Sequence, residues 1–532
     1  MRGSNRAGRR AGSRPIRQQP EVDVQKALLP CPYNGWNAKG NLANMGPFDA
    51  YLMDNCFPGV QSVSLRPGCV AWKTGFPANI RSLLSYQSQY GAKLFAATNA
   101  GIYDATTSGA VGSALLSCSN GRWRGVNFAT PGGQFFIAVN GTDPLALYDG
   151  TSFYSVTGSS SPYAITGVTT SSLSQVLAHK VRVWFIQQGT MNLWYLPVDS
   201  IAGAASVFPV GGLFKKGGSL AAMGTWSLDA GAGPDDFFVV CTTMGELAVY
   251  QGTDPSSITT WALVGVYDCP PPLGNKPFCD FGGDLLYLSQ NGIIPLGKLV
   301  QSVSIDHSLN ISFQIDGAFL QASQEYGPNP DWDILVHKPA SALIVNVPVA
   351  TDNTSYQFAM NTITKAWCRF TGWNASCLAE FQNSFYFASD ETVYQGWVGL
   401  SDAGTSIQGT VCQAYQNFGM ETGFKITTLM PNVQANGQLT ISYGIDTDFT
   451  TSSSVNSQSV QIQSAVWDSA LWDQAIWTDT GQLNADEFIR PQWLTVPSNV
   501  GFQHSLRVKF SSSTGAVQWT STHLMMRPAG LL

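Results

Sequence analysis

The stretch FFIAVNGTDPLALYDG, Phe135–Gly150, decides how the chain is read. Two apolar runs flank an Asn-Gly pair, Asn140–Gly141. Aromatic, β-branched and aliphatic residues suit half-buried strands, and Asn-Gly tolerates the positive φ that a tight hairpin turn requires. The stretch therefore predicts a β-hairpin. The same pattern recurs at LFAATNAGIYDA (from Leu94), VWFIQQGTMNLWYLPV (from Val183) and FFVVCTTMGELAVYQG (from Phe237). It recurs again at LLYLSQNGIIPLG (from Leu285), ALIVNVPVATDNTSYQFAM (from Ala342) and FYFASDETVYQG (from Phe385). The starts are 41, 48, 54, 48, 57 and 43 residues apart.

A lone hairpin is marginal in water, so these units must stack. The intervening segments, such as Asn120–Ala129 and Ile258–Val266, add further strand-like runs. A period of 40–50 residues with about four strands is the pattern of a propeller blade. The expectation is an all-β fold: a β-propeller of six to eight blades with an additional β-rich C-terminal region. A large β-sandwich and an irregular β-solenoid are the competing architectures. No Gly-His…Trp-Asp repeat marks the blades, and the uneven spacing implies loop insertions.

Composition supports the strand reading. Only 12% of the 532 residues are charged and 12% are aromatic, against roughly 25% charged in an average globular chain. Lys and Glu favour helices and aromatics favour strands, which counts against a coiled coil or a helical solenoid. A hydrophobic content of 44% is ample for a core and excludes a disordered scaffold.

The net charge of −6 is unevenly spread. Arg2, Arg6, Arg9, Arg10, Arg14 and Arg17 precede any acid, and without them 22 bases face 34 acids, a balance of −12. The body is acidic, which opposes a groove that grips phosphate along its length. The arm has few apolar residues and reads as a solvated tail, a strap onto a neighbouring subunit, or a nucleic-acid contact. No apolar h-region follows the arginines, so a secretory signal is not expected, and no run of ~18 apolar residues predicts a spanning helix. None of the ten cysteines forms a C-x-x-C pair, so they are expected as buried thiols of a reducing compartment rather than zinc ligands or a disulfide frame.

The predicted units are an arm at residues 1–25, the propeller with a strand–turn–strand entry at 26–400, and the β-rich C-terminal region at 401–532. In the entry, FPGVQSVSLRPGCVAW places Pro67 and Gly68 at the second and third positions of a type II turn. In the C-terminal region, Trp467, Trp472 and Trp477 step by five, which fits neither helix nor strand. They read as core plugs or as contacts to a partner surface.

Chemistry is sparse. The histidines His179, His307, His337, His504 and His523 show no metal spacing and no H-E-x-x-H. GGSLA at Gly217–Ala221 approximates a nucleophile elbow, with Ala221 in place of the second glycine. GxxxxGK[ST] and GxGxxG do not occur. The acidic pairs Asp235–Asp236, Asp331/Asp333 and Asp446/Asp448 neighbour turn residues and read as solvated turn carboxylates rather than a glycosidase pair. No catalytic residue, metal or cofactor is expected.

The segment DAYLMDNCFPGVQSVSLRPGCVAW (Asp49–Trp72), followed by KLFAATNAGIYDAT (Lys93–Thr106), resembles the start of tail proteins of short-tailed bacteriophages. The matching residues are Asn55, Pro58, Arg66, Pro67 and Gly68. The Trp-Asp series and the ending GFQHSLRVKFSSSTGAVQWTSTHLMMRPAG are also similar to that group. The resemblance implies a β-propeller virion protein of the tail, forming a nozzle or hub ring, commonly a hexamer. Such a ring continues the DNA-ejection channel below portal and adaptor, with loops that close it before infection. The implied partners are copies of itself, adaptor and portal-side proteins, tail fibre or tip proteins, and DNA that passes without sequence recognition. The implied location is the virion, assembled in the host cytoplasm. An acidic lining would let phosphate slide past. The competing reading is a carbohydrate-binding or depolymerising receptor-recognition propeller. A secreted adhesin is a third, weakened by the missing signal peptide.

Overall fold

A computed structural model describes residues 24–229, 234–257, 259–301, 307–349, 354–435, 438–452, 456–461, 487–488 and 493–530. All seven predicted hairpins are present as antiparallel strand pairs. Three sit in four-stranded antiparallel sheets. The first holds Arg124–Thr130, Gly133–Val139, Leu145–Tyr148 and Phe153–Val156. The second holds Leu173–His179, Arg182–Gln187, Asn192–Tyr195 and Ser206–Pro209, and the third Leu220–Asp229, Pro234–Thr242, Glu246–Gly252 and Trp261–Asp268. Two more sit in three-stranded sheets, Ile80–Ser88 with Gly91–Thr98 and Gly101–Asp104, and Phe278–Phe281 with Asp284–Ser289 and Gly292–Pro295.

The apolar runs are continuous because both faces of these strands are covered. Side chains alternate across a strand, so neighbours enter different cores. Phe135, Ile137 and Val139 pack in one cluster with Val183 and Phe185. Phe136 and Ala138 pack in another, with Phe95 and Tyr148. Trp184 and Ile186 then join Phe238 and Val240, while Val239 and Cys241 turn to Leu285 and Tyr287. Each sheet is thus sandwiched between its neighbours, as strands with little alternation of polarity require. Gly141 turns the first hairpin at φ +74°, where a side chain would be strained.

The largest sheet overturns the expected six to eight separate blades. It has fifteen strands, and its main path runs through eleven of them. The path begins Asp333–His337, Ala342–Pro348, Ser355–Asn361, Trp367–Phe370 and Ala50–Asp54. It continues through Thr405–Gln413, Ser401–Asp402, Cys69–Thr74, Thr392–Gly396, Ser384–Ser389 and Cys377–Phe381. Its two ends lie together, where the Leu378 amide donates to the Asp333 carboxylate at 3.1 Å. The fold is therefore all-β with several sheets and a near-closed eleven-strand barrel, and the β-propeller expectation is corrected on that ground. The physical reason is edge pairing. Unpaired strand edges recruit partners, and here entry and C-terminal strands fill the gap between the hairpins at Ala342 and Phe385. The strand Thr405–Gln413, assigned by sequence to the C-terminal region, pairs with Ala50–Asp54 of the entry.

A second mixed-origin sheet ties the chain's two ends. Val517–Gly530 pairs with Gln25–Pro30, Val63–Leu65 and Gly423–Ala435. One helix, Asp316–Tyr326, packs Phe319 against Trp332 and Phe358. Among the described residues no helix is long and apolar enough to cross a membrane.

Candidate functional site

The five entry residues converge on one buried network. A turn of backbone puts Asn55 at φ +53°, between Ala50–Asp54 and Cys56–Pro58. This left-handed conformation is one that Asn tolerates better than most residues. It aims the side chain inward, where Nδ2 donates to Thr371 Oγ1 (2.9 Å) and to the Gln408 carbonyl (2.8 Å). Its Oδ1 accepts from the Thr371 amide (2.8 Å) and from Arg66 Nε (2.9 Å).

The Arg66 side chain is fully buried. Beyond Nε, its Nη1 donates to the Pro67 carbonyl (3.0 Å) and Asp402 Oδ1 (2.9 Å). Its Nη2 donates to the Thr371 carbonyl (2.8 Å) and Asp402 Oδ2 (2.7 Å). A guanidinium has five N–H donors, and all five are engaged. Trp373 stacks its ring 4.5 Å from the guanidinium carbon and donates its indole N–H to Asp402 Oδ1 at 3.0 Å. The charge pair with Asp402 is bidentate and shielded, the geometry in which such a pair holds elements in place most firmly.

Pro58 is buried in its strand, and its carbonyl accepts from Asn361 Nδ2 at 2.9 Å. Gly68 is not in the left-handed region, contrary to the type II turn expected from Pro67–Gly68. Its constraint is space: a Cβ there would collide with the Ser401 backbone carbonyl. The Gly68 amide and carbonyl also bond to Gly399 and Val398. The motif thus clamps the entry onto residues 371–408.

Two neighbouring ion pairs repeat the theme. Arg369 makes a bidentate pair with Asp54 (2.7 and 2.8 Å), which raises the arginine's pKa. Buried Asp446 accepts from the Tyr51 hydroxyl (3.2 Å) and the Ser452 amide (2.8 Å), and pairs with Arg507 (3.2 Å). Burial pushes the Cys69 thiol, beside Asp402, up to about 12, far from the thiolate that nucleophilic chemistry needs.

The remaining sequence candidates fall elsewhere. Arg2, Arg6, Arg9, Arg10, Arg14, Arg17, Trp467, Trp472 and Trp477 lie outside the described residues. The expectation of solvated turn carboxylates holds for Asp448, which is exposed in a turn, but not for Asp333 and Asp446, which are buried. Asp331 is bidentate with Arg122, Asp333 is buried, and Asp448 accepts the Phe502 and Gln503 amides. Asp236 pairs with Lys180 at 3.0 Å. GGSLA leads into the strand Leu220–Asp229 and not into a helix, so it is no nucleophile elbow. All ten cysteines are unpaired, eight of them buried. Among the described residues no group of three or more His, Cys, Asp or Glu could hold a metal ion. His179, His337 and His504 are buried, and burial lowers the pKa of each.

Sequence reasoning missed Asp402, Thr371, Trp373 and Gln408. Asp402 stands 336 positions from Arg66, and nothing in its local sequence marks it.

No family model matches the chain, and no curated protein matches it. Solved structures give weak likenesses. The Raptor protein of Chaetomium thermophilum is 10% identical with a TM-score of 0.35, covering 63% of this chain and 29% of its own length. This chain's likeness thus spans under a third of that protein. A BBS1N structure in complex with ARL6DN is 10% identical with a TM-score of 0.38, covering 64% and 99%. YCF48 from Cyanidioschyzon merolae is 10% identical with a TM-score of 0.29, covering 62% and 98%. At these scores the likenesses carry no argument about function. The propeller on which the phage, tail, nozzle and DNA-ejection expectations leaned is replaced by the barrel-like sheet. Those terms are accordingly withdrawn as a description of this chain.

Proposed function

We propose that the chain is a structural, non-catalytic subunit of a virion, one protomer of a homo-oligomeric ring around a path for the genome. The observation that carries this reading is the use of the entry motif. Asn55, Arg66 and Gly68 spend their polar groups and their space on joining distant strands into one rigid frame. Strands near residues 50, 70 and 405 are joined in one sheet. A frame of this kind suits a part that must keep its shape under load. The acidic balance of −12 outside the arm supports the same reading, because an acidic wall repels phosphate and offers no grip. The arginines of the first 17 residues would then strap the subunit to a neighbour or to an adjoining ring protein.

Mass photometry of the purified full chain tests this. The expected result is a closed oligomer, six-fold by the resemblance, that retains no duplex DNA at physiological salt. A chain that stays monomeric at every concentration, or that binds duplex tightly, would contradict it.

A further inference from the structure

The leading strands of successive sheets lie side by side: Ile80–Ser88 against Arg124–Thr130, then Leu173–His179, Leu220–Asp229, Phe278–Phe281 and Asp333–His337. Three of these strands, Arg124–Thr130, Leu173–His179 and Leu220–Asp229, help line a cavity of about 350 Å³ together with loop residues that include Asn120, Gln188, Thr243 and Asn275. Its lining is polar and includes Arg122, Arg124, Gln175, Gln188, Thr243 and Asn275. No aromatic side chain lines it.

The two arginines differ. Arg122 is neutralised by Asp331, through Nε to Oδ1 at 2.9 Å and Nη2 to Oδ2 at 3.0 Å. Arg81 also reaches Asp331, at 3.5 Å. Lys276 pairs loosely with Asp333 at 3.6 Å, while that carboxylate also accepts the Ile334 and Leu378 amides. Arg124 has no carboxylate in contact among the described residues. Its Nε and Nη1 donate to the carbonyls of Asn275 and Trp123, both at 3.3 Å, and Nη2 has no partner among them. The lining therefore holds two cations and no carboxylate, and of the two cations Arg122 is paired and Arg124 is not. Burial lowers the pKa of Arg124, although the more distant Asp333 and Asp331 act to raise it.

A half-buried surplus of positive charge is costly unless an anion meets it. A planar guanidinium with free N–H groups matches an oxyanion in a bidentate fork. The cavity is large enough for a small ligand. We propose that this cavity binds an oxyanion, a phosphate or carboxylate group, with Arg124 as its anchor and the Gln188 side-chain amide beside it. This is independent of the ring assembly, since every group named belongs to one chain.

The test is calorimetric titration of the full chain with sodium phosphate and, separately, sodium acetate, against sodium chloride at matched ionic strength. One of the two oxyanions is expected to bind saturably and to raise the melting temperature, and the stronger one names the ligand class. Arg124→Gln should weaken that binding at least tenfold. Gln188→Ala should weaken it several-fold with the chloride melting temperature unchanged, and it decides the matter if Arg124→Gln does not fold. The proposal is overturned if neither oxyanion binds beyond chloride, or if the variants bind as the parent does.

Discussion

Arg66 and Arg124 are both enclosed arginines, and they are enclosed in opposite ways. Around Arg66, five donors meet five acceptors, two of them the oxygens of the Asp402 carboxylate, and an indole covers the face. Around Arg124, two carbonyls at 3.3 Å are the hydrogen-bonded partners among the described residues, and a cavity lies alongside. The first site is chemically finished and has nothing left to offer a ligand. The second carries unspent donors. A buried charge that is fully answered reads as a strut, and one that is not reads as a place where something binds.

The largest expected effect would break or confirm this contrast directly. Arg66→Ala leaves the half-buried Asp402 and the other acceptors without their partner, and should cost about 3–5 kcal/mol in denaturant unfolding. Arg66→Lys should recover less than roughly half of that, because a point charge cannot fill a five-donor fork. Arg124→Gln, measured in chloride, should cost under about 1 kcal/mol, since it removes a charge that lacks an answer. Equal losses at the two arginines would dissolve the distinction.

An intermediate case sharpens it. His179 is buried with Nδ1 3.1 Å from Thr225 Oγ1, while Nε2 has no partner, and burial pulls its pKa from 6.5 to about 4. The unfolded chain then binds the proton more readily than the folded one. The neutral histidine's contribution is fully present above pH 6.5 and is lost as the pH falls toward 4, by on the order of 3 kcal/mol at most. Stability measured against pH in parent and His179→Asn should show a shallower acid slope in the variant. Parallel slopes would mean that His179 titrates alike in both states.

Gly68→Ala should cost about 1–3 kcal/mol, because the Ser401 backbone must shift to admit a methyl group. An unperturbed melting temperature would show that the clamp has slack. The smallest effect concerns the cavity. Asp331→Asn frees Arg122, which lines the cavity, and should tighten phosphate or acetate binding a few-fold in calorimetry, where unchanged or weaker binding would count against the role of charge.

The hairpins were legible because their signal is local. Phe135–Gly150 and its six relatives each carry their own strands and turn, and all fold as read. The barrel was not legible, since it depends on pairings such as Asp54 with Arg369 and with Thr410, which no short window contains. The repeat also misled in a specific way. It assigned the hairpins at Ala342 and Phe385 to separate units, whereas entry and C-terminal strands join them in one sheet. At the clamp, Arg66 and Gly68 stood out as a motif, but the reason for Gly68 was misjudged, because a close backbone approach leaves no trace in turn preferences. The charged hub was invisible for another reason. Arg81, Arg122, Arg124, Lys276, Asp331 and Asp333 come from strands and loops far apart in the chain, and only the fold brings them together.

The central claim is that these residues build a rigid part of a larger ring. Electron microscopy of the purified full chain tests it most directly. The expected result is closed rings of identical subunits with an open central channel, persisting at physiological salt. Isolated monomers, or elongated fibres without a channel, would contradict it.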